Sequence, residues 1–230
     1  MIDGVFFDGD QTLWDFQALM RSALAATLDH LRCLCPGHST DELTVESLIA
    51  DRAAVEADPA SAGMTLERLR LAAFTRTVAR IGPPDKDLAA ILNDYYLQRR
   101  FTDVTLFDDV LPILSDLRTK LPLGLLSNGN GYPERSGLSD VFTVVVFSDE
   151  HGIRKPDRRL FDIAAERIAV PPTRLVMVGD SLVHDVVGSQ NAGWRGFWLN
   201  RDRQGCPNDV HPDAELNSLY DLPQALASVR

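Results

Sequence analysis

The feature that most restricts the fold of this 230-residue chain is a series of short apolar runs separated by helical patterns. The runs cover residues 5–7, 122–127, 143–147, 174–178 and 196–199. Runs of this kind are typical of strands buried on both faces, and the intervening helices are typical of right-handed crossovers between parallel strands. The pattern therefore predicts an α/β fold built on a parallel sheet.

A long segment without strand-like alternation follows the first run. Between about residues 15 and 100, apolar residues recur at helical spacing, and Gly37 is expected to close the first helix. Helices are predicted over 16–33, from a capping box of Ser39 and Glu42 to Asp58, over 65–81 and over 86–100. We therefore expect a Rossmann-like catalytic core of residues 1–14 and 104–230, with an all-helical cap of residues 15–103 inserted after the first strand.

The charge and the cysteine content argue against several classes of partner. The formal net charge is -10 and the sequence pI is about 4.9, so no nucleic acid and no membrane is expected as a partner, because both reward clustered Lys and Arg. No apolar run approaches the length of a membrane span, and Asp3 and Asp8 interrupt any signal-peptide pattern. Three cysteines without a framework spacing suit a reducing compartment. We expect a cytoplasmic protein that is a monomer or a homodimer.

The polar residues that bear on chemistry lie after the predicted strands. In chain order they are Asp8, Asp10 and Thr12 after the first run, Ser127 and Asn128 at the end of the second, Lys155 at the mouth of the helix after the third, and Asp180 and Asp185 after the fourth. Because the carboxyl ends of parallel strands meet at one edge of a sheet, we expect these side chains to converge there.

Paired carboxylates of this kind favour metal-assisted phosphoryl chemistry. They repel each other unless a cation intervenes, and oxygen ligands suit Mg²⁺ better than zinc. A carboxylate can attack phosphorus to form an acyl phosphate, which divides one difficult displacement into two easier ones. In this interpretation Lys155 supplies positive charge for Asp8 and the phosphoryl oxygens, and Asp10 exchanges a proton with the leaving group. Asp180 is then a second acidic metal ligand, with Asp185 as a further ligand or an orienting group.

Each of these features also has an ordinary structural explanation. Two aspartates on a turn are commonly solvated, Ser-Asn-Gly is mostly a loop, and a lysine before proline is usually a surface charge. Gly-Asp-Ser after residues 174–178 is a stronger signal, because it ends a buried strand. The occurrence of all of these groups at the same end of successive strands favours a functional site.

The order and spacing of the motifs resemble those of the haloacid dehalogenase-like hydrolases, specifically the members with a helical cap inserted after the first motif. The resemblance spans essentially the whole chain and is carried by FFDGDQTL, LLSN, RKPD and GDSLVHDVVGSQNAGW. It implies that Asp8 is the nucleophile and Asp10 the general acid/base. It also implies Mg²⁺ held by Asp8, the Asp10 backbone carbonyl and Asp180, with Asp185 in support. The residues implied to handle the phosphoryl group and its attacking carboxylate are Thr12, Ser127, Asn128 and Lys155.

The resemblance predicts a function, and three alternatives stay open beside it. Family members of this kind are mostly phosphatases, so the predicted function is magnesium-dependent hydrolysis of a small phosphorylated metabolite through an aspartyl-phosphate at Asp8. A phosphomutase would return the phosphoryl group to its sugar. A dehalogenase would use the aspartate nucleophile without a metal, and the presence of Asp10, Asp180 and Asp185 weighs against it. A catalytically silent binding module is disfavoured by the same acidic set.

Two positions depart from the pattern of the family. Gly9 stands where relatives usually carry an apolar residue, and Gln11 stands where they usually carry Gly, Asp or Asn. Gly9 adds backbone freedom to a turn that should be rigid, and Gln11 is strained if its φ is positive. Neither position removes a reacting atom, so they bear on catalytic efficiency more than on the class of reaction.

Three further features each leave a functional and a structural interpretation open. A zinc-like set lies within nine residues, which is short for four tetrahedral ligands: His30, Cys33, Cys35 and His38. His184 either orients a water molecule beside Asp185 or lies on the surface of a helix. Arg21 either binds an acidic group of the substrate or is an exposed helix arginine.

Overall fold

The computed structural model describes residues 1–36, 39–102, 104–129, 131 and 133–229, and the predicted helix end at Gly37 lies outside them. The chain divides into two compact units. One comprises Met1–Phe16 with Thr105–Arg230, and the other comprises Gln17–Val104. We refer to the first as the α/β unit and to the second as the helical unit.

The described part of the helical unit contains helices and no strand. Its helices are α1 (Phe16–Leu34), α2 (Val45–Ala57), α3 (Leu66–Val78) and α4 (Lys86–Thr102). Their apolar faces meet in one core that includes Leu28, Leu31, Phe74 and Tyr96. The predicted cap at Ser39 is wrong, because α2 begins at Val45 behind a capping box in which Thr44 accepts from the Ser47 N–H. Ser39 and Thr44 could both cap a helix through their hydroxyl groups, but Thr44 lies directly before the apolar residues that recur at helical spacing.

The α/β unit is built on a sheet that has six parallel strands among the described residues. The strands are β1 (Gly4–Phe7), β2 (Leu123–Ser127), β3 (Val144–Phe147), β4 (Leu175–Gly179), β5 (Arg195–Leu199) and β6 (Ala214–Leu216), in the order β3-β2-β1-β4-β5-β6. The predicted parallel α/β fold is confirmed. Strand β6 was not predicted, because only Leu216 of its three residues is buried and the run is too short to show alternation.

Helices flank this sheet and cover its apolar faces. They are α5 (Val110–Leu117), α6 (Ser148–His151), α7 (Arg158–Ile168), α8 (Gly188–Asn191) and α9 (Leu222–Ser228), and a π-helical turn, Leu182–Val187, precedes α8. Helix α7 buries Leu160, Phe161 and Ala164 against the sheet. Trp194 joins this core, with its ring centre 5.0 Å from that of Phe6 and 5.5 Å from that of Phe161.

The strand order brings three strand ends together at the centre of the sheet. β1 lies between β2 and β4, and Phe7 pairs with Leu125 on one side and with Val178 on the other. Crossovers leave in opposite directions from such a position, which opens a crevice at the carboxyl ends of the strands. Among the described residues, no helix has the length and apolar character needed to cross a membrane.

Candidate active site

The turn after β1 is held by its own backbone. The Asp8 N–H donates to the Val178 carbonyl at 2.9 Å, which extends the pairing with β4 by one residue. The Gly9 carbonyl then accepts from the N–H groups of Thr12 and Leu13 at 3.2 and 2.8 Å. Gln11 takes a φ of 61°, so this position is in the left-handed region that a non-glycine residue rarely adopts. The turn therefore has a fixed conformation in which the Asp8 carboxylate is only slightly exposed.

Lys155 links two carboxylates that are far from each other in the chain. Its Nζ lies 2.8 Å from Asp8 Oδ1 and 2.6 Å from Asp185 Oδ1, and the side chain is almost completely buried. Asn128 holds the Lys155 backbone through two hydrogen bonds. The Asn128 Nδ2 donates to the Lys155 carbonyl at 3.0 Å, and the Lys155 N–H donates to Asn128 Oδ1 at 2.8 Å. The end of β2 therefore fixes the position from which the ammonium group reaches the carboxylates.

Three carboxylates converge at the ends of β1 and β4. Oxygens of Asp8, Asp180 and Asp185 lie within 4.8 Å of one another. Among the described residues, these three carboxylates form the group that could hold a metal ion. Both oxygens of Asp185 are engaged, since Oδ1 accepts from Lys155 and Oδ2 accepts from the Ser181 N–H at 3.0 Å. Asp185 thus orients Lys155, while the other two carboxylates retain oxygens for a cation.

The electrostatics of this group favour a cation. Burial and the neighbouring Asp185 and Asp180 carboxylates raise the pKa of Asp8 to about 8, against the opposing effect of the Lys155 ammonium. Burial and the Asp185 carboxylate raise the pKa of Asp180 to about 6. Burial lowers the pKa of Lys155, but its two carboxylate partners outweigh that effect, so the pKa is above its usual value and the group is an ammonium. One ammonium does not balance three carboxylates, and a divalent cation would restore the balance.

Asp10 follows the same turn, and its carboxylate has a partner of its own. Asp10 Oδ1 accepts a hydrogen bond of 2.7 Å from the Trp14 indole Nε1. Its carboxylate is not among the three that converge, which is compatible with a contribution through the backbone carbonyl.

The hydroxyl groups predicted to bind phosphate have different surroundings. Ser127 Oγ accepts from the Gly129 N–H at 3.0 Å at the end of β2. Thr12 is fully buried, and its Oγ1 has no hydrogen-bond partner among the described residues. The Thr12 carbonyl accepts from Arg201 Nη2 at 3.0 Å. Arg201 and Trp14 support the turn in ways that the motifs did not predict.

A family model for haloacid dehalogenase-like hydrolases matches residues 2–193. The chain belongs to this family. It is 28% identical over 231 residues to pyrimidine 5'-nucleotidase YjjG of Escherichia coli, covering 97% of each chain. It is 30% identical to the glyceraldehyde 3-phosphate phosphatase of Methanopyrus kandleri, covering 99% of each. A solved 2-haloacid dehalogenase from Pseudomonas syringae pv. Tomato superposes with a TM-score of 0.83 at 33% identity, covering 99% of each chain. The predicted membership is therefore confirmed, and the protein is a hydrolase of this family.

The two departures from the family pattern have structural explanations. A Cβ atom added to Gly9 would lie 2.5 Å from Cζ2 of Trp14, so the glycine makes room for the indole. The strain expected at Gln11 for a positive φ is present, and its N–H donates to the Trp14 carbonyl at 2.8 Å. This local hydrogen bond helps to hold the left-handed residue in the turn.

The remaining predicted features are not members of the carboxylate cluster, and several of them make local contacts. Arg21, on α1 of the helical unit, forms an exposed ion pair of 2.9 Å with Glu46. His184 is exposed, and its Nδ1 lies 3.1 Å from Ser181 Oγ. The zinc-like set consists of His30, Cys33, Cys35 and His38, and His38 lies outside the described residues. The His30 ring stacks on the Tyr95 ring with 4.2 Å between their centres, and neither cysteine forms a disulfide. The described members of that set are not among the groups placed to hold a metal.

Proposed function

We propose that this hydrolase is a magnesium-dependent phosphatase that hydrolyses a small phosphomonoester through an aspartyl-phosphate at Asp8. The observation that supports the proposal is the buried contact between Asp8 and the Lys155 ammonium beside an acidic cluster. An ammonium at 2.8 Å both directs the attacking carboxylate and offsets the charge of an incoming phosphoryl group.

The proposed reaction has two displacements. In the first, an Asp8 oxygen forms a bond to phosphorus, the bond from phosphorus to the leaving oxygen breaks, and Asp10 gives that oxygen a proton. In the second, a water molecule attacks the phosphorus of the acyl phosphate and Asp10 takes its proton. Inorganic phosphate leaves and the Asp8 carboxylate is restored. Ser127 and Thr12 are proposed to contact the phosphoryl oxygens, and Asn128 is proposed to act through the Lys155 backbone.

The donor set at the ends of β1 and β4 fits magnesium. We propose that Asp8, Asp180 and the Asp10 backbone carbonyl hold the ion and that Asp185 supports them. Hard oxygen ligands with an excess of negative charge are what Mg²⁺ prefers, whereas zinc favours Cys and His. When bound, the ion would neutralise charge on the carboxylates and on the phosphoryl oxygens.

The substrate is proposed to be a small phosphorylated metabolite. Two similar proteins carry the names of a pyrimidine 5'-nucleotidase and a glyceraldehyde 3-phosphate phosphatase, and both names describe phosphomonoester substrates. We propose that the helical unit acts as the cap that selects the leaving group, with Arg21 as a candidate contact. The free state of the cysteines accords with the proposed cytoplasmic location.

Dehalogenation is the second candidate, because a structure of that name is similar to the chain over its full length. A metal-free dehalogenase has no need of a cation-binding cluster of three carboxylates, so phosphate hydrolysis accounts for more of the site. Halide release from a 2-haloacid that persists with a chelator present would favour this candidate.

The test is phosphate release from a panel of phosphorylated metabolites and from 4-nitrophenyl phosphate, with magnesium present or chelated. We expect Asp8→Asn to abolish release, because the amide is a poor nucleophile, while circular dichroism stays unchanged. Asp116→Asn, which alters an exposed aspartate on α5, is the matched control and should retain activity. Full activity in Asp8→Asn would refute the assigned nucleophile, and an isomerised sugar phosphate without free phosphate would indicate a mutase.

A further inference from the structure

We propose that Trp14 is a positioning residue, whose indole N–H holds the Asp10 carboxylate in the orientation needed for proton transfer. This inference rests on the proposed role of Asp10. The observation that supports the proposal is the hydrogen bond of 2.7 Å from Trp14 Nε1 to Asp10 Oδ1, made by a tryptophan that is 2% exposed. A buried indole N–H requires an acceptor, and a bond to a carboxylate is stronger than one to a neutral group.

The backbone of the turn brings the two residues together. The Gln11 N–H donates to the Trp14 carbonyl at 2.8 Å, and the Leu13 N–H donates to the Gly9 carbonyl at 2.8 Å. These bonds fold the chain back, so that residues 10 and 14 form an isolated parallel bridge. The backbone hydrogen bonds of this turn therefore place the Trp14 indole beside the Asp10 carboxylate.

Three glycines shape the space around this pair. A Cβ atom at Gly9 would lie 2.5 Å from Cζ2 of Trp14, and one at Gly131 would lie 2.6 Å from the same atom. A Cβ atom at Gly129 would lie 2.6 Å from Asp10 Oδ2. Since real Cβ atoms do not make contacts this short, glycine at each position permits the indole and the carboxylate to lie where they do.

The chemistry of the indole adds a constraint on the proton. Indole nitrogen is a donor only, so Oδ1 must act as an acceptor in this hydrogen bond. A proton carried by Asp10 is thereby directed to Oδ2, the oxygen beside Gly129. Trp14 thus fixes both the direction of the carboxylate and the oxygen that gives the proton to the leaving group.

The kinetic test compares two aryl phosphates that differ mainly in how much their leaving groups need a proton. Trp14→Phe keeps the aromatic bulk and removes the N–H donor. We expect kcat/KM for phenyl phosphate to fall about tenfold, while kcat/KM for 4-nitrophenyl phosphate changes less than about twofold, since nitrophenolate leaves without a proton. Gly131→Ala, whose Cβ would lie 2.6 Å from Cζ2 of Trp14 and so displace the indole, should show the same selectivity. An equal change for both substrates, or no change for either, would overturn the proposal.

Trp194→Phe is the matched control, because its buried Nε1 has no hydrogen-bond partner among the described residues. This variant should leave the ratio of the two kcat/KM values unchanged. A ratio that shifts as much in Trp194→Phe as in Trp14→Phe would show that loss of any buried indole is sufficient, and would overturn the positioning role.

A second measurement does not depend on activity. In a ¹⁵N-labelled protein the three tryptophans each contribute one indole N–H signal, and Trp14→Phe assigns one of them. We expect Asp10→Asn to displace the Trp14 signal and to leave the Trp194 signal in place. An unmoved Trp14 signal would refute the hydrogen bond. If the wild-type enzyme released no phosphate while the Trp14 signal moved, the proposed function would fail and the contact itself would stand.

Discussion

Replacement of Arg201 by methionine is expected to lower the free energy of unfolding of the α/β unit by about 3 kcal/mol. Arg201 Nη1 lies 2.8 Å from Asp109 Oδ2, and Nη2 lies 2.9 Å from Asp109 Oδ1, so the ion pair is bidentate. The same Nη2 donates to the Thr12 carbonyl at 3.0 Å. The pair therefore connects the start of α5, the segment after β5 and the turn that carries Asp8.

The magnitude follows from the burial of the two partners. The Asp109 side chain is 4% exposed and the Arg201 side chain is 19% exposed. Removal of one partner of a buried pair costs about 3–5 kcal/mol, and the partial exposure of Arg201 favours the lower end. After the substitution Asp109 retains the Leu219 N–H at 2.8 Å as a donor, but the Thr12 carbonyl loses Arg201. Methionine preserves much of the apolar contact with the Phe107 ring, whose centre lies 4.1 Å from Arg201 Cζ.

The assay is urea unfolding followed by tryptophan fluorescence, because all three tryptophans belong to the α/β unit. With a urea m-value of about 1–3 kcal/mol/M, the unfolding midpoint should fall by roughly 1–3 M. Arg195→Met is the matched control. It breaks an ion pair of 2.9 Å with Asp213 in which the arginine is 41% exposed, and it should cost less than about 1 kcal/mol. Equal losses below about 1 kcal/mol in both variants would refute the reasoning from burial.

The remaining predictions concern pH, metal and the helical unit. Burial acts to raise the pKa of Asp109, but hydrogen bonds from Arg201 and a backbone N–H outweigh it and hold this pKa below its usual 3.8. The resulting stability is present above that value and is lost as the pH falls through the lower folded pKa. The difference in unfolding free energy between wild type and Asp109→Asn, measured by urea titration, should therefore shrink as the pH falls below 3.8. Chelation should abolish phosphate release from 4-nitrophenyl phosphate and added magnesium should restore it; an unchanged rate in chelator would contradict the metal site. Asp51→Ala should lower the free energy of unfolding of the helical unit by about 2 kcal/mol, because the buried Asp51 carboxylate accepts a hydrogen bond from Thr77 at 2.9 Å. Asp29→Ala, which removes an exposed ion pair, should lower it by less than about 0.5 kcal/mol. Unfolding followed by far-ultraviolet circular dichroism measures both values. Equal costs for these two aspartates would contradict that prediction.

Local pattern was sufficient for most of the strands and helices. The β1, β2 and β4 segments are continuous apolar runs because both faces of the sheet are covered, and such runs are visible without any tertiary information. Strand β6 has one buried residue among three, so its pairing with β5 depends on contacts that the run does not encode. Helix α2 begins later than the sequence predicts, because Ser39 and Thr44 both satisfy the rule for a helix cap and only the packing of the helix chooses between them.

The candidate site shows the same division. Asp8 and Asp180 were predicted to lie at one edge of the sheet, and the structure places their oxygens within 4.8 Å of each other. Asn128 is predicted to handle the phosphoryl group and its attacking carboxylate, and the structure shows its amide bonded to the backbone of Lys155, 27 residues away. No pattern of neighbouring residues indicates which of several possible donors a side-chain amide will meet after folding.

By itself, the sequence determined that a parallel sheet carries acidic and basic groups at one edge, since strand periodicity and chain order act locally and the topology follows from them. Only the tertiary structure decided which atoms those groups use. Arg201 reaches a carbonyl 189 residues earlier in the chain, and the Trp14 indole lies so close to Gly131 that a Cβ atom there would be 2.6 Å from Cζ2. Contacts of this kind depend on the three-dimensional packing of distant segments, where a difference of one ångström separates a hydrogen bond from a clash.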